Sequence, residues 1–157
     1  MAVAYRRYYR QVLRQTIKIV GSAPVAEDIA HDVFMRFFEQ IRSGQQHRNV
    51  GGYLIRAAIN RGLNRIRDTE RRRTLLALQS SPSAILPTQD AALTVHRLLS
   101  EVSPEEAEVA AFYFLDERDQ AEIAALLGVS RRTVVRRIAS FRAQALELLT
   151  APLAASA

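Results

Sequence analysis

At 157 residues, 48% hydrophobic and 24% charged, the chain has an ordinary globular composition that suits one domain or two small ones and excludes intrinsic disorder. The absence of any Cys excludes disulfide bridges, Cys-based zinc sites and a thiol nucleophile, so each small domain must hold itself by packing. A net charge of +6 points to a polyanionic partner, while no stretch is apolar for long enough to span a bilayer and the opening MAVAYRRYYR has no signal core, so a cytoplasmic protein without membrane insertion is expected.

The charge is unevenly placed. Residues 1–79 hold 15 Lys and Arg against 6 acids, and residues 101–149 hold 6 against 9, with five of those six cations between Arg131 and Arg142. One basic face is therefore expected in each half. Lys18 is the sole lysine among 22 cations. Arginine suits bidentate contact with phosphate and guanine, although a GC-rich coding bias explains the same usage.

Residues 4–20 read as a helix in which Tyr5, Tyr8, Tyr9, Val12, Leu13, Ile17 and Val20 alternate at one-turn spacing with Arg6, Arg7, Arg10, Arg14 and Lys18. Gly21 and Ser22 break it, and Pro24 fits the first turn of a second helix that runs to about Ile41, its early Glu27 and Asp28 agreeing with the helix dipole. The buried stripe of that helix is read as Ala26, Ile29, Val33, Phe37 and Ile41, which leaves Asp28, His31, Asp32, Met35 and Phe38 facing outward. Acids mixed with large apolar groups either dock a partner or lie beneath another helix, and the pattern alone leaves both open.

Residues 42–52 read as a loop from their Ser, Gly and Asn content, and it carries His47, Arg48 and Asn49. A third helix over residues 53–73 puts Ile55, Ile59, Gly62, Leu63 and Ile66 on one side. Arg56, Asn60, Asn64, Arg67 and Arg71 form a polar stripe on the other, flanked by Arg61, Arg65 and Arg72. Asn amides read base edges and Arg holds phosphates or stacks on bases, so stripe and loop together could grip single-stranded DNA. A solvated face is the plain alternative, but two asparagines are poor helix formers and need a reason.

Residues 74–89 contain two prolines, a Ser cluster and no charge, the composition of an interdomain linker, yet with five Leu and Ile that favour lying in a groove. Asp90 can cap a short helix through Leu99. Ser103, Pro104 and Glu106 then give an N-cap, a Pro at the first position and a capping-box glutamate for a helix continuing through Phe112, Phe114 and Leu115. Ile123, Ala124 and Leu127 form a further helical face that ends at Gly128. After it Ser130 is placed to cap a long helix whose apolar stripe is Val134, Ile138, Phe141, Ala145 and Leu148. This is either a structural hairpin or a helix-turn-helix whose arginine-rich start enters a major groove. The last residues, 152–157, read as a frayed tail.

No strand-like alternation persists, so the fold class is all-α: two small helical domains at residues 1–73 and 90–151 joined by a flexible linker at 74–89. His31, His47 and His96 share no metal-ligand spacing and there is no phosphate-cradling glycine loop, so neither enzyme activity, nor a metal, nor a cofactor is expected.

The ordered set AEDIAHDVFMRFF, GGYLIRAAINRGLNRIRDTERRR, an uncharged linker, SPEEAEVAAFYFL and EIAALLGVSRRTVVRRI resembles the bacterial sigma factors of the extracytoplasmic-function (ECF) class across residues 5–149. The resemblance implies a sigma-2 domain followed by a sigma-4 domain with none between. It implies that Asp28, His31, Asp32, Met35 and Phe38 dock on the beta-prime clamp helices of core RNA polymerase, and that the sigma-4 domain sits on the beta flap. By the same resemblance His47, Arg48, Asn49, Tyr53, Arg56, Asn60, Arg61, Asn64 and Arg67 open and hold the minus-10 promoter element. Ser130, Arg131, Arg132, Thr133, Arg136 and Arg137 read the minus-35 element, and the linker threads toward the polymerase cleft. An anti-sigma factor covering these surfaces is expected on the same ground. His31, Tyr53 and Asn64 stand where Gln, Trp and Asp are usual in the class. Two rival readings are a stand-alone helix-turn-helix regulator and a sigma-like decoy that occupies polymerase without melting DNA.

Overall fold

A computed structural model describes residues 2–79 and 91–154, and every regular element among them is helical. The order is α1 (Ala2–Val20), α2 (Ala23–Arg42), α3 (Val50–Gln79), α4 (Ala91–Glu101), α5 (Pro104–Ala110) with a π-helical turn (Ala111–Leu115), α6 (Gln120–Leu127) and α7 (Arg131–Ala154). The all-α expectation holds. The chain divides into two compact units, residues 1–64 and 65–157, so that the division falls inside α3.

In the first unit Gly21 takes the left-handed conformation, φ 71°, that turns the chain from α1 into α2, and its N–H closes α1 on the Ile17 carbonyl at 2.8 Å. Ser22 caps α2 by position and Pro24 lies in its first turn. The core is Val12 and Ile19 of α1, Ala26, Ala30, Val33, Phe34 and Phe37 of α2, and Leu54, Ile55, Ala58, Ile59 and Leu63 of α3. Two glycines let α3 approach α1 closely. A Cβ at Gly51 would stand 2.7 Å from Tyr8 Cε1, and one at Gly62 3.0 Å from Ile19 Cγ2.

Three sequence expectations shift here. The stripe of α1 is rotated: Gln15 and Thr16 are buried beside Val12 and Ile19, while Tyr5 and Ile17 are each 37% exposed. Thr16 can be buried because its hydroxyl donates to the Val12 carbonyl at 2.8 Å. In α2, Ala30 and Phe34 take the core places read for Ile29 and Ile41. Phe34 packs on Tyr5, Tyr9 and Phe38 with ring centroids 5.0–6.0 Å away. Finally, α3 is longer at both ends than its pattern implies. Asn49 caps it early, and residues 74–79, read as linker, continue the helix because nothing before the first linker proline breaks it. The remaining linker residues, the Asp90 cap and residues 155–157 of the tail lie outside the described residues, whereas residues 152–154 belong to α7.

The second unit is built from capping motifs that the sequence shows plainly. Ser103 and Glu106 form a reciprocal capping box on α5, as do Asp119 and Glu122 on α6. Gly128 ends α6 at φ 67°, and Ser130 then caps α7 by accepting the Thr133 N–H at 3.1 Å. Phe112, Val109, Ile123, Val134 and Ile138 are the buried centre of this unit.

Candidate polymerase and nucleic-acid interfaces

Buried Ala26, Ala30, Val33 and Phe37 fix the rotation of α2, and that rotation turns Asp28, His31 and Asp32 outward. Met35 stands among them 44% exposed, while Phe38 is half-buried against Phe34 and Phe37. Asp32 makes an ion pair across to Arg61 of α3. The face read as polymerase-docking and the stripe read as DNA-holding are thus joined by one salt bridge.

The segment from Ser43 to Asn49 is held tightly to the end of α2. The Gln40 carbonyl accepts both the Ser43 hydroxyl and the Gln45 N–H at 2.9 Å, and the Gln40 side-chain oxygen lies 3.0 Å from His47 Nε2. His47 meets Phe37 and Tyr53 in tilted ring contacts, with centroids 5.6 and 4.0 Å away, and Phe37 and Tyr53 also touch each other at 6.0 Å. Arg48 is exposed beside this stack. Asn49 is already committed locally: its side-chain oxygen accepts the Gly52 N–H at 2.9 Å and its carbonyl the Tyr53 N–H at 3.0 Å. Along α3, Arg56, Asn60, Arg61 and Arg67 are half-buried, edging the buried face of Leu63 and Ile66, and Asn64 is exposed. Phe37 and Gln40 were not singled out from sequence as site residues. No motif marks them, and their part in the loop depends on tertiary contact.

In the second unit Arg131, Arg132 and Arg136 are exposed at the start of α7. Val134 and Ile138 anchor this turn in the core, so the arginines point outward. Arg131 Nε donates to Gln120 Oε1 of α6 at 3.3 Å, which ties the two helices of the motif together. Ser130 and Thr133 bond to each other, hydroxyl to hydroxyl, at 2.9 Å. Arg137 is half-buried and, with Arg136, lines a polar cavity shared with Ser103, Glu105, Glu106 and Ser140. There the Glu106 carboxyl is held down to about 2, chiefly by a hydrogen bond from Ser140 and further by Gln144 and Ser103, against the opposing effect of burial. Arg142 turns back over Tyr113 and Phe114, 5.8 and 5.6 Å from their ring centroids, and so belongs to the domain's packing. Among the described residues no three His, Cys, Asp or Glu side chains gather as a metal site, and no helix is long and apolar enough to cross a membrane.

Sigma-70 region 2 matches residues 4–72 and sigma-70 region 4 matches residues 92–143. The chain belongs to the sigma-70 family. It is an RNA polymerase sigma factor, and the two regions it carries are those that act on core polymerase and promoter DNA. In fold this sigma factor is similar to the sigma factor RpoE solved in complex with the anti-sigma factor NepR from Bartonella quintana. The TM-score is 0.52 at 18% identity, over 93% of this chain and 94% of that one. No curated protein sequence matches the chain. The two matched regions are separated only by residues 73–91, the two-region plan of the ECF class.

Proposed function

We propose that this sigma factor directs core polymerase to a minus-10 and minus-35 promoter through three surfaces, working in the cytoplasm with no bond-breaking of its own. The α2 face of Asp28, His31, Asp32, Met35 and Phe38 docks on the beta-prime clamp helices. The loop and stripe of His47, Arg48, Tyr53, Arg56, Asn60, Asn64 and Arg67 hold the melted minus-10 strand. Arg131, Arg132 and Arg136 enter the major groove of the minus-35 element. The observation that carries this reading is the close His47–Tyr53 ring contact, a ledge of rings fixed by Gln40 beside an Asn- and Arg-lined helix, which suits an unstacked base.

Within that reading Asn49 serves as a cap that shapes the loop, and Arg61 orients Asp32. Functional domains at residues 1–73 and 90–151 are joined by a segment, 74–89, whose first residues are the helical end of α3 and whose remainder runs toward the polymerase cleft. The sigma-4 domain rests on the beta flap. An anti-sigma factor that covers these faces is supported by the complex in which the Bartonella quintana sigma factor was solved.

Permanganate footprinting of holoenzyme on a promoter it transcribes tests the assignment. Reactive thymines at the minus-10 element should appear with the natural chain and fade with Tyr53→Ala, while Arg132→Ala should weaken upstream protection in a parallel nuclease footprint without moving the melted segment. Equal melting by Tyr53→Ala would remove the loop from the site.

A further inference from the structure

The first helix carries a feature that none of these three surfaces uses. Arg6, Arg10 and Arg14 recur every fourth residue along α1, all exposed, on the side opposite buried Val12, Thr16 and Ile19. Residues 2–20 contain no acid at all. Some arginines of the chain find carboxylates, as half-buried Arg61 does with Asp32 and exposed Arg73 and Arg97 do with Glu70 and Glu101. Among the described residues no ion pair engages Arg6, Arg10 or Arg14.

A solvent face that served only solubility would mix both signs. Like charges one turn apart repel and weaken the helix that bears them. The helix is kept by its packing against α2 and α3, and its row of positive charge is left available to an outside anion. A protein partner would need an apolar centre. On this face Val3 and Ile17 stand singly, at opposite ends of the helix.

We propose that α1 is a phosphate rail: Arg6, Arg10 and Arg14 contact the sugar-phosphate backbone of promoter DNA and add affinity without reading sequence. Four helical residues advance about 6 Å. With about 3.4 Å of axis per nucleotide on one strand, the three arginines cover roughly three to four nucleotides. The proposal rests on membership of the sigma-70 family and stands apart from the residue assignments of the other surfaces.

The test uses reconstituted holoenzyme on a promoter that the natural chain transcribes, with the triple variant Arg6→Gln, Arg10→Gln, Arg14→Gln. Gln forms helix about as well as Arg, so the fold is preserved. The expected result is a slope of log affinity against log salt that is shallower by about 2 to 3, with start sites and core-polymerase binding unchanged. The matching triple Lys variant should restore the slope, which separates lost charge from lost structure. A photo-crosslinker at position 10 should capture DNA. An unchanged slope, or capture of a polymerase subunit or another protein in place of DNA, overturns the proposal.

Discussion

His47 and Tyr53 stand with ring centroids 4.0 Å apart, and the His47 Nε2 lies 3.0 Å from the Gln40 side-chain oxygen. A loop of seven residues is thereby held to the last turn of α2 by ring contacts, a side-chain bond and two bonds to one carbonyl. Such a ledge is ordered before DNA arrives, so its geometry contributes to affinity without an ordering cost at the moment of binding.

Tyr53→Ala should therefore weaken holoenzyme binding to a single-stranded minus-10 oligonucleotide by about 1–3 kcal/mol, the worth of one aromatic stack. Tyr53→Trp should bind at least as well. Fluorescence anisotropy with a labelled non-template strand measures both, and an unaffected Ala variant would exclude stacking on this ring.

The Asp32–Arg61 pair is largely exposed on the acid's side, with side-chain exposures of 62% for Asp32 and 25% for Arg61. Its contribution to folding should stay below about 1 kcal/mol. Asp32→Asn is expected to leave the thermal unfolding midpoint almost unmoved and to lower affinity for core polymerase by several-fold, read by competition with the natural chain. A large stability loss with undiminished docking would make the pair structural.

Ile19 is fully buried and branched at Cβ, and a Cβ on Gly62 would meet its Cγ2 at 3.0 Å. Gly62→Ala should destabilise the first unit by about 1–3 kcal/mol through overpacking. The roughly 1 kcal/mol of helix propensity that Ala gains over Gly offsets part of this, so the net loss is expected at up to about 2 kcal/mol. Denaturant unfolding of the full chain measures the sign.

Glu106 has its carboxyl lowered to about 2 in the fold, so its hydrogen bonds stabilise the native state above the unfolded value of about 4.3. Stability should fall as pH drops from about 4.3 toward 2, by of order 1–3 kcal/mol for this group. In Glu106→Gln that part of the acid dependence should vanish, with the capping box partly kept. Unfolding followed at several pH values between those limits checks the slope.

Much of this architecture is legible in the chain because its signals are local. Ser103 with Glu106, Gly128 with Ser130, and Gly21 with Pro24 each mark a helix end within a few residues, and each marks it correctly. The faces of α2, α3 and α7 follow from spacing alone, apart from single exchanges such as Phe34 for Ile29. What escaped depends on contact between distant residues. Gln40 carries no sign that it will hold His47, Arg61 none that it will find Asp32, and Asn49 looks like a base reader until its side chain is seen capping α3. Burial of Gln15 and Thr16 was hidden for the same reason: polarity argues for solvent until tertiary packing places each side chain in the core.

The most direct measurement of the central assignment is transcription in vitro with purified core polymerase and a fragment library of the source genome, sequencing the transcripts made only when this protein is added. Defined start sites preceded by two spaced sequence elements, lost from the upstream element with Arg132→Ala and from the downstream one with Tyr53→Ala, are expected. Polymerase binding without new transcripts would contradict promoter recognition and melting by these surfaces and leave a decoy in their place.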